Sequence, residues 1–272
     1  MAMGRLADPA AGIIDMVGGG ALLAMAAMAY VTASRGFGMP FRGYGAAGAP
    51  EEKFIGVVYC TCQGSIHLMR GFQLMAPPSR GLYLPDYDYA DFILLCPLIV
   101  LDILFTLKIP GKVVSAALTA LSLFMAACAY ATEAPYQWFL FALGLVFLIV
   151  LFARVQAGVR QRLSELPSAA VGAMYVAMVS FFGMWPLFPI VFLLGPRSAN
   201  VLDRTSFAAI HVVFDIVCKG VLSLALLRVR AFMETIGWYG YSLTSKDIRE
   251  RLISRLSDDA KAARPTSGGH AL

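Results

Sequence analysis

Asp215 and Lys219 are four residues apart in an otherwise apolar run, Ser206–Arg230 (SFAAIHVVFDIVCKGVLSLALLRVR). Four residues is one helical turn, so the two share a helix face, and His211 falls one turn further along it. The run has the length a helix needs to cross a bilayer. Charges at that depth are costly and mark functional sites by default. Two chemistries suit the pair. One is a structural ion pair that closes a helical bundle. The other is an imine on the lysine: a buried amine is a good Schiff-base former, and a protonated imine requires a carboxylate beside it.

A second set of polar residues lies in Tyr89–Asp102 (YADFILLCPLIVLD). Asp91 and Asp102 are eleven residues apart, about three turns, and therefore face the same way. Pro97 between them removes a backbone donor and loosens the helix. Two stacked carboxylates suit a path for protons or cations, while Asp102, near one end, also suits a helix cap. A third set, Gln63, His67 and Arg70, lies along one face of an unusually polar segment. These residues suit the lining of a hydrated pore between helices 1, 2, 3 and 7, or hydrogen bonding between helices.

The elements that must position these residues are membrane helices. The chain has 272 residues, 59% hydrophobic and 14% charged. Such a composition is that of an integral membrane protein, and the length accommodates about seven spans. The hydropathy pattern predicts helices at about Ala11–Ser34 (with Asp15 near one end), Phe54–Phe72, Tyr89–Leu107, Val113–Thr132, Tyr136–Val155, Ala169–Leu194 and Ser206–Arg230. Arg154, Arg160 and Arg162 are read as a basic loop before the sixth helix. Lys/Arg-rich 3–4 and 5–6 connections place those loops in the cytoplasm, with the N-terminus outside and the C-terminus cytoplasmic. The fold class is thus an all-α seven-helix transmembrane bundle over residues 1–233, followed by a cytoplasmic tail, 234–272. Gly18-Gly19-Gly20 lies within a span and suits close helix packing. The five cysteines fall in apolar stretches, and Cys60-x-Cys62 has the wrong spacing for zinc, so no metal site is expected. The formal charge of +5 follows from membrane topology, without nucleic acid. No enzymatic motif is present, and no cleavable leader is expected.

The seventh stretch resembles the last helix of the microbial (type I) rhodopsins, in which retinal is linked to a lysine that follows an aspartate by four residues. Asp91, Pro97 and Asp102 resemble the third helix of that family, and Phe181-Phe-Gly-Met-Trp-Pro-Leu-Phe-Pro-Ile190 resembles its sixth. Tyr136, Trp138 and Phe141 are similar to its fifth. The likeness extends to the bacteriorhodopsin-like cation channelrhodopsins, including the kalium channelrhodopsins. It is carried there by Phe207-Ala-Ala-Ile-His211-Val-Val-Phe-Asp215-Ile-Val-Cys218-Lys219 and by Cys96-Pro97 through Asp102 to Phe105-Thr-Leu-Lys-Ile-Pro-Gly-Lys112.

This resemblance implies all-trans retinal as cofactor, bound to Lys219 as a protonated Schiff base, with Asp91 and Asp215 as counterions. It implies that Phe92, Pro97, Phe141, Phe182, Trp185 and Pro186, together with Cys96, wall the retinal. Asp102, Cys96, Ser122 and His211 are assigned to a proton path or gate, with Cys96 paired to Ser122. Asp88, Gln63, His67, Arg70 and Phe207 are assigned to a pore. Pumping members carry an arginine three residues before the first aspartate; here Asp88 stands there, removing the cation that blocks the outer half-channel. Leu95 replaces a threonine and Phe207 an outer glutamate. Ala208 and Asp88 stand where potassium-selective members carry aromatic residues, so that selectivity is not carried over. The implied function is a light-gated cation channel that passes monovalent cations or protons; the alternatives are an outward proton pump or a sensory photoreceptor. The resemblance further implies residence in the plasma membrane among lipids, and a homo-oligomer, a trimer.

Overall fold

A computed structural model describes residues 8–35, 51–76, 90–195 and 198–235. Residues Met1–Phe232 make up one compact unit. Among the described residues the chain forms seven helices: α1 (Pro9–Arg35), α2 (Ile55–Met75), α3 (Ala90–Thr106), α4 (Lys112–Ala131), α5 (Tyr136–Leu163), α6 (Ser168–Leu194) and α7 (from Arg204 to Thr235). Of these, α1, α4, α5, α6 and α7 are long and apolar enough to cross a membrane. α2 is interrupted by Gln63, His67 and Arg70, and α3 has 17 residues. Apolar side chains such as Leu94, Val113, Phe139 and Ile149 point outward, as expected where lipid rather than water is the solvent.

The spans follow the hydropathy pattern with one correction. α5 continues about two turns past Val155, so Arg154, Arg160 and Arg162 lie on a helix and not in a loop. The connection that follows is short, and its Glu165 pairs at 2.9 Å with Arg162 in the last turn of α5. Positive charge in the last turn of a helix also favours its continuation.

Local sequence sets the ends. Asp8 Oδ1 accepts from the Ala11 amide at 3.0 Å and starts α1. Asp203 Oδ1 accepts from the Ser206 amide at 2.6 Å and starts α7. Both are aspartate N-caps. The tight 3–4 turn requires left-handed backbone at Lys108 (φ 52°) and Gly111 (φ 77°), the second of which costs nothing at glycine.

α1 and α2 lie unusually close. A Cβ on Gly19 would stand 2.7 Å from the Gly64 carbonyl, and one on Gly71 would stand 2.7 Å from the Gly12 carbonyl. Each helix supplies two glycines seven residues apart, so the antiparallel pair meets twice along the same face. Gly20, by contrast, faces open space.

Two helices depart from α geometry. α6 carries a π-helical stretch at Val179–Gly183 and then three turn residues before Leu187. Pro186 and Pro189 lack the amides that would bond one turn back, which accounts for the break. α7 carries a second π-helical stretch, Ile216–Val221, around Lys219. Such widened turns are frequent at functional sites.

Candidate functional site

Lys219 is 1% exposed, one of the largest fully buried side chains of the protein. Its Nζ contacts Asp215 Oδ1 one turn earlier on α7. A buried lysine without a carboxylate beside it would be prohibitively costly. The π-helical turn that carries Lys219 sets its direction relative to Asp215. Nζ also stands 4.2 Å from the centroid of the Phe92 ring on α3, where the π face attracts a cation.

On its other oxygen, Asp215 bonds to α2: His67 Nε2 lies 2.9 Å from Asp215 Oδ2. The opposite ring nitrogen, Nδ1, lies 2.6 Å from Asp15 Oδ1 on α1. Asp15, His67, Asp215 and Lys219 therefore form a continuous buried polar chain across α1, α2 and α7. The glycine contacts between α1 and α2 make this reach possible by drawing Asp15 towards His67.

Asp91 occupies a separate place. Its Oδ2 accepts from Gln63 Nε2 at 3.0 Å, and Arg70 lies 4.0 Å away. It makes no hydrogen bond to Lys219. Asp91 Oδ1 and Gln63 Oε1 are both buried without a hydrogen-bond partner; two unsatisfied acceptors together favour a donor or a cation between the helices.

Towards the end of the bundle that carries the N-terminus, Asp15, Arg70, Arg204, Phe207 and His211 line a small cavity between α1, α2 and α7. His211 Nδ1 lies 3.0 Å from the Phe207 carbonyl, and the two rings are 4.2 Å apart. Gln63, His67, Arg70 and Phe207 are all buried, the first three on one face of α2. Asp88 lies outside the described residues.

At the opposite end, Asp102 pairs with Arg230 of α7 at 2.7 Å. Tyr59 of α2 donates to Asp102 Oδ2 at 3.1 Å, and Arg230 Nε donates to Thr106 Oγ1 at 2.7 Å. All four side chains are buried. This tie joins α2, α3 and α7 and excludes the helix-cap role for Asp102.

Beyond Phe92 lies an apolar cavity bounded by α3, α4, α5 and α6. Phe92, Cys96, Phe141 and Trp185, which the resemblance assigns to the retinal wall, line it, joined by Phe188, Pro189 and Phe192. Pro97, Phe182 and Pro186 do not. Phe182 turns instead towards Phe152, with ring centroids 5.4 Å apart. The π-helical stretch shifts the register of α6, so the lining face follows Trp185, Phe188, Pro189 and Phe192. Cys96 and Ser122 border the same cavity but do not pair; Ser122 Oγ donates to the Gly144 carbonyl at 2.8 Å.

The cavity fits retinal on the chemistry of its walls: an apolar, aromatic-lined space begins at Phe92, and among the described residues the lysine beside it is Lys219, over the Phe92 ring and in contact with Asp215. Sequence reasoning passed over Tyr59, Thr106 and the partnership of Arg230 with Asp102. It noted Asp15 only as a helix-end residue. An arginine eleven residues after Lys219, three turns along the same face, was the available signal for the Arg230 tie.

Residues 19–233 match the family described as Bacteriorhodopsin-like protein. Archaerhodopsin-1 of Halorubrum ezzemoulense is 25% identical over 152 residues, which is 53% of this chain and 57% of that protein. The chain thus spans about half the length of the curated relatives it matches. Among solved structures, the thermophilic rhodopsin from Rubrobacter xylanophilus superposes with a TM-score of 0.65 at 17% identity, covering 84% of this chain and 99% of that one. The red light-activated channelrhodopsin Chrimson gives 0.67 at 15% identity, covering 86% and 82%. These structural likenesses concern the fold.

Proposed function

This chain belongs to the bacteriorhodopsin-like protein family, the microbial rhodopsins, whose members bind retinal as chromophore, and we propose that it is a light-gated cation channel with Lys219 as the covalent attachment point. When bound, retinal supplies light absorption and a change of shape on isomerisation. Lys219 Nζ holds a proton, and Asp215, in contact with it, supplies the balancing negative charge. Asp91 adds a second carboxylate on α3 within the same buried region. Phe92, Cys96, Phe141 and Trp185 orient the chromophore and exclude water from it.

The observation that carries the channel reading is the distribution of buried polar groups. Asp15, Gln63, His67, Arg70, Asp91 and Asp215 lie between α1, α2, α3 and α7, apart from the apolar cavity on the α4, α5 and α6 side. Polar groups at membrane depth face protein or water, and a line of them between four helices is a route for a hydrated cation. The Asp102–Arg230 tie closes this route at the far end, because a buried ion pair held by Tyr59 and Thr106 leaves no path for a cation. Movement of α7 relative to α3 would open it. Asp88, where pumps carry an arginine, adds a negative charge that attracts cations.

The protein resides in the plasma membrane, with the N-terminus outside, residues 1–233 as its transmembrane domain and 234–272 as a cytoplasmic tail. Monovalent cations or protons permeate, and the assembly is a homotrimer. A second reading, an outward proton pump, is favoured by Asp91 and Asp102 standing three turns apart on α3. Whole-cell photocurrents measured against voltage separate the two. A current that reverses sign near a cation's equilibrium potential supports the channel; a current of one direction throughout supports the pump.

A further inference from the structure

His67 is completely buried, and both of its ring nitrogens face carboxylate oxygens, Asp15 at 2.6 Å and Asp215 at 2.9 Å. Neutral imidazole has one N–H donor and one lone pair, whereas imidazolium has two donors. An ionised carboxylate only accepts. A neutral ring would therefore direct a lone pair at one carboxylate oxygen, at hydrogen-bond distance and without water to intervene. With both carboxylates ionised, two short contacts of this kind call for a second ring proton. The surrounding charges agree. Asp15 faces His67 from α1, Arg70 and Gln63 share its own helix, Asp91 lies beyond them on α3, and Asp215, Lys219 and His211 face it from α7. With His67 charged, Asp15, Asp91 and Asp215 are balanced by His67, Arg70 and Lys219.

We propose that Asp15, His67 and Asp215 form a proton relay in which His67 is a buried imidazolium in the dark, and that its proton leaves through Asp15 to the cavity at α1, α2 and α7 when the Lys219 nitrogen gives its own proton to Asp215. This rests on the retinal reading above. The protons and charges balance. Lys219 loses one proton, and Asp215 Oδ1 gains it. His67 Nδ1 gives one proton to Asp15 Oδ1, which passes it to the cavity. Before and after, the triad carries a net charge of −1, and one proton reaches the cavity lined by Asp15, Arg70 and Arg204. Asp91 has no direct part, since Gln63 and Arg70 occupy its surroundings and it makes no hydrogen bond to Lys219. Asp15 and His67 are positioning and relay residues on a route separate from α3.

The test is nitrogen-15 NMR of histidine-labelled, retinal-supplied protein in lipid, in the dark. The chain has three histidines, and the signal that disappears in a His67→Gln protein is that of His67 in the parent. Two protonated ring nitrogens on His67 near neutral pH support the relay; one protonated nitrogen overturns it. A second arm follows light-induced proton appearance in the medium with a pH dye. Asp15→Asn should slow it at least tenfold, while Asp15→Glu, which keeps the carboxylate, should restore it to within about threefold of the parent. Unchanged release in a correctly coloured Asp15→Asn protein overturns the exit through Asp15. A protein that acquires no colour with retinal overturns the reading beneath the proposal, and the dark NMR signal of His67 still decides its protonation.

Discussion

Replacing Arg230 with methionine should be strongly destabilising, and the structure sets the size of the effect. Arg230 and Asp102 are each about 5% exposed in their side chains and 2.7 Å apart. Methionine keeps much of the volume of the arginine stem but removes the guanidinium. Asp102 then retains only the Tyr59 hydroxyl on its carboxylate at 3.1 Å, and Thr106 loses the donor that held it at 2.7 Å. An uncompensated buried charge costs about 3–5 kcal/mol. The companion variant, Asp102→Leu with Arg230→Met, removes both charges and should return to within about 1 kcal/mol of the parent, because apolar replacement of a whole buried pair is close to neutral. The assay is equilibrium unfolding in mixed micelles with increasing SDS, followed by helical circular dichroism. A loss below about 1 kcal/mol for Arg230→Met alone, in the range of solvent-exposed ion pairs, would refute the reasoning: the tie would then be wet, and could not close a cation route.

Further outcomes are expected elsewhere. Lys219→Ala should abolish visible absorbance in retinal-supplied membranes while leaving the helical content intact; persistent colour without an added amine would remove Lys219 as the attachment point. Gly64→Val should separate α1 from α2, since even a Cβ there would stand 3.0 Å from the Gly19 carbonyl; a loss of about 1–3 kcal/mol is expected on the same unfolding assay. The Asp203 cap gives a pH dependence. Hydrogen bonds from the Ser206 amide and hydroxyl hold its carboxyl below the usual carboxylate range. A depressed folded value means that the cap's contribution is complete above about pH 4 and is lost as the pH falls through the folded value. Hydrogen exchange at the Ser206 amide should therefore show protection at about pH 7 that weakens as the pH falls below the usual aspartate range, and Asp203→Ala should show little protection in either condition.

How far the sequence reached depended on the distance over which a pattern acts. The Asp215–Lys219 pair was legible because both residues lie on one turn of one helix, and Asp91 and Asp102 because eleven residues is a whole number of turns, near enough. Helices α1, α4, α5, α6 and α7 were legible because lipid imposes a minimum apolar length. The end of α5 was misplaced because arginines in the last turns of a membrane helix resemble a basic loop in composition. Phe182 and Pro186, assigned to the retinal wall by resemblance, do not line the apolar cavity, and an ordinary 3.6-residue period does not anticipate the π-helical stretch at Val179–Gly183. Contacts between distant segments were beyond reach. His67 meets Asp215 across 148 residues and Asp102 meets Arg230 across 128, and no local period reports on either. The seven-residue spacing of Gly12 with Gly19 and of Gly64 with Gly71 was a readable sign that α1 and α2 approach closely, and with it that Asp15 comes within reach of α2.

The central claim is passive, light-gated passage of cations between α1, α2, α3 and α7. Its most direct test is the whole-cell photocurrent of retinal-supplied cells, recorded against voltage with external sodium, potassium and protons varied in turn. The expected result is a current whose reversal potential moves with at least one of these cations. A photocurrent of constant direction that shows no reversal under any of these gradients would contradict it, and would make Asp91 and Asp102 the acceptor and donor of a pump.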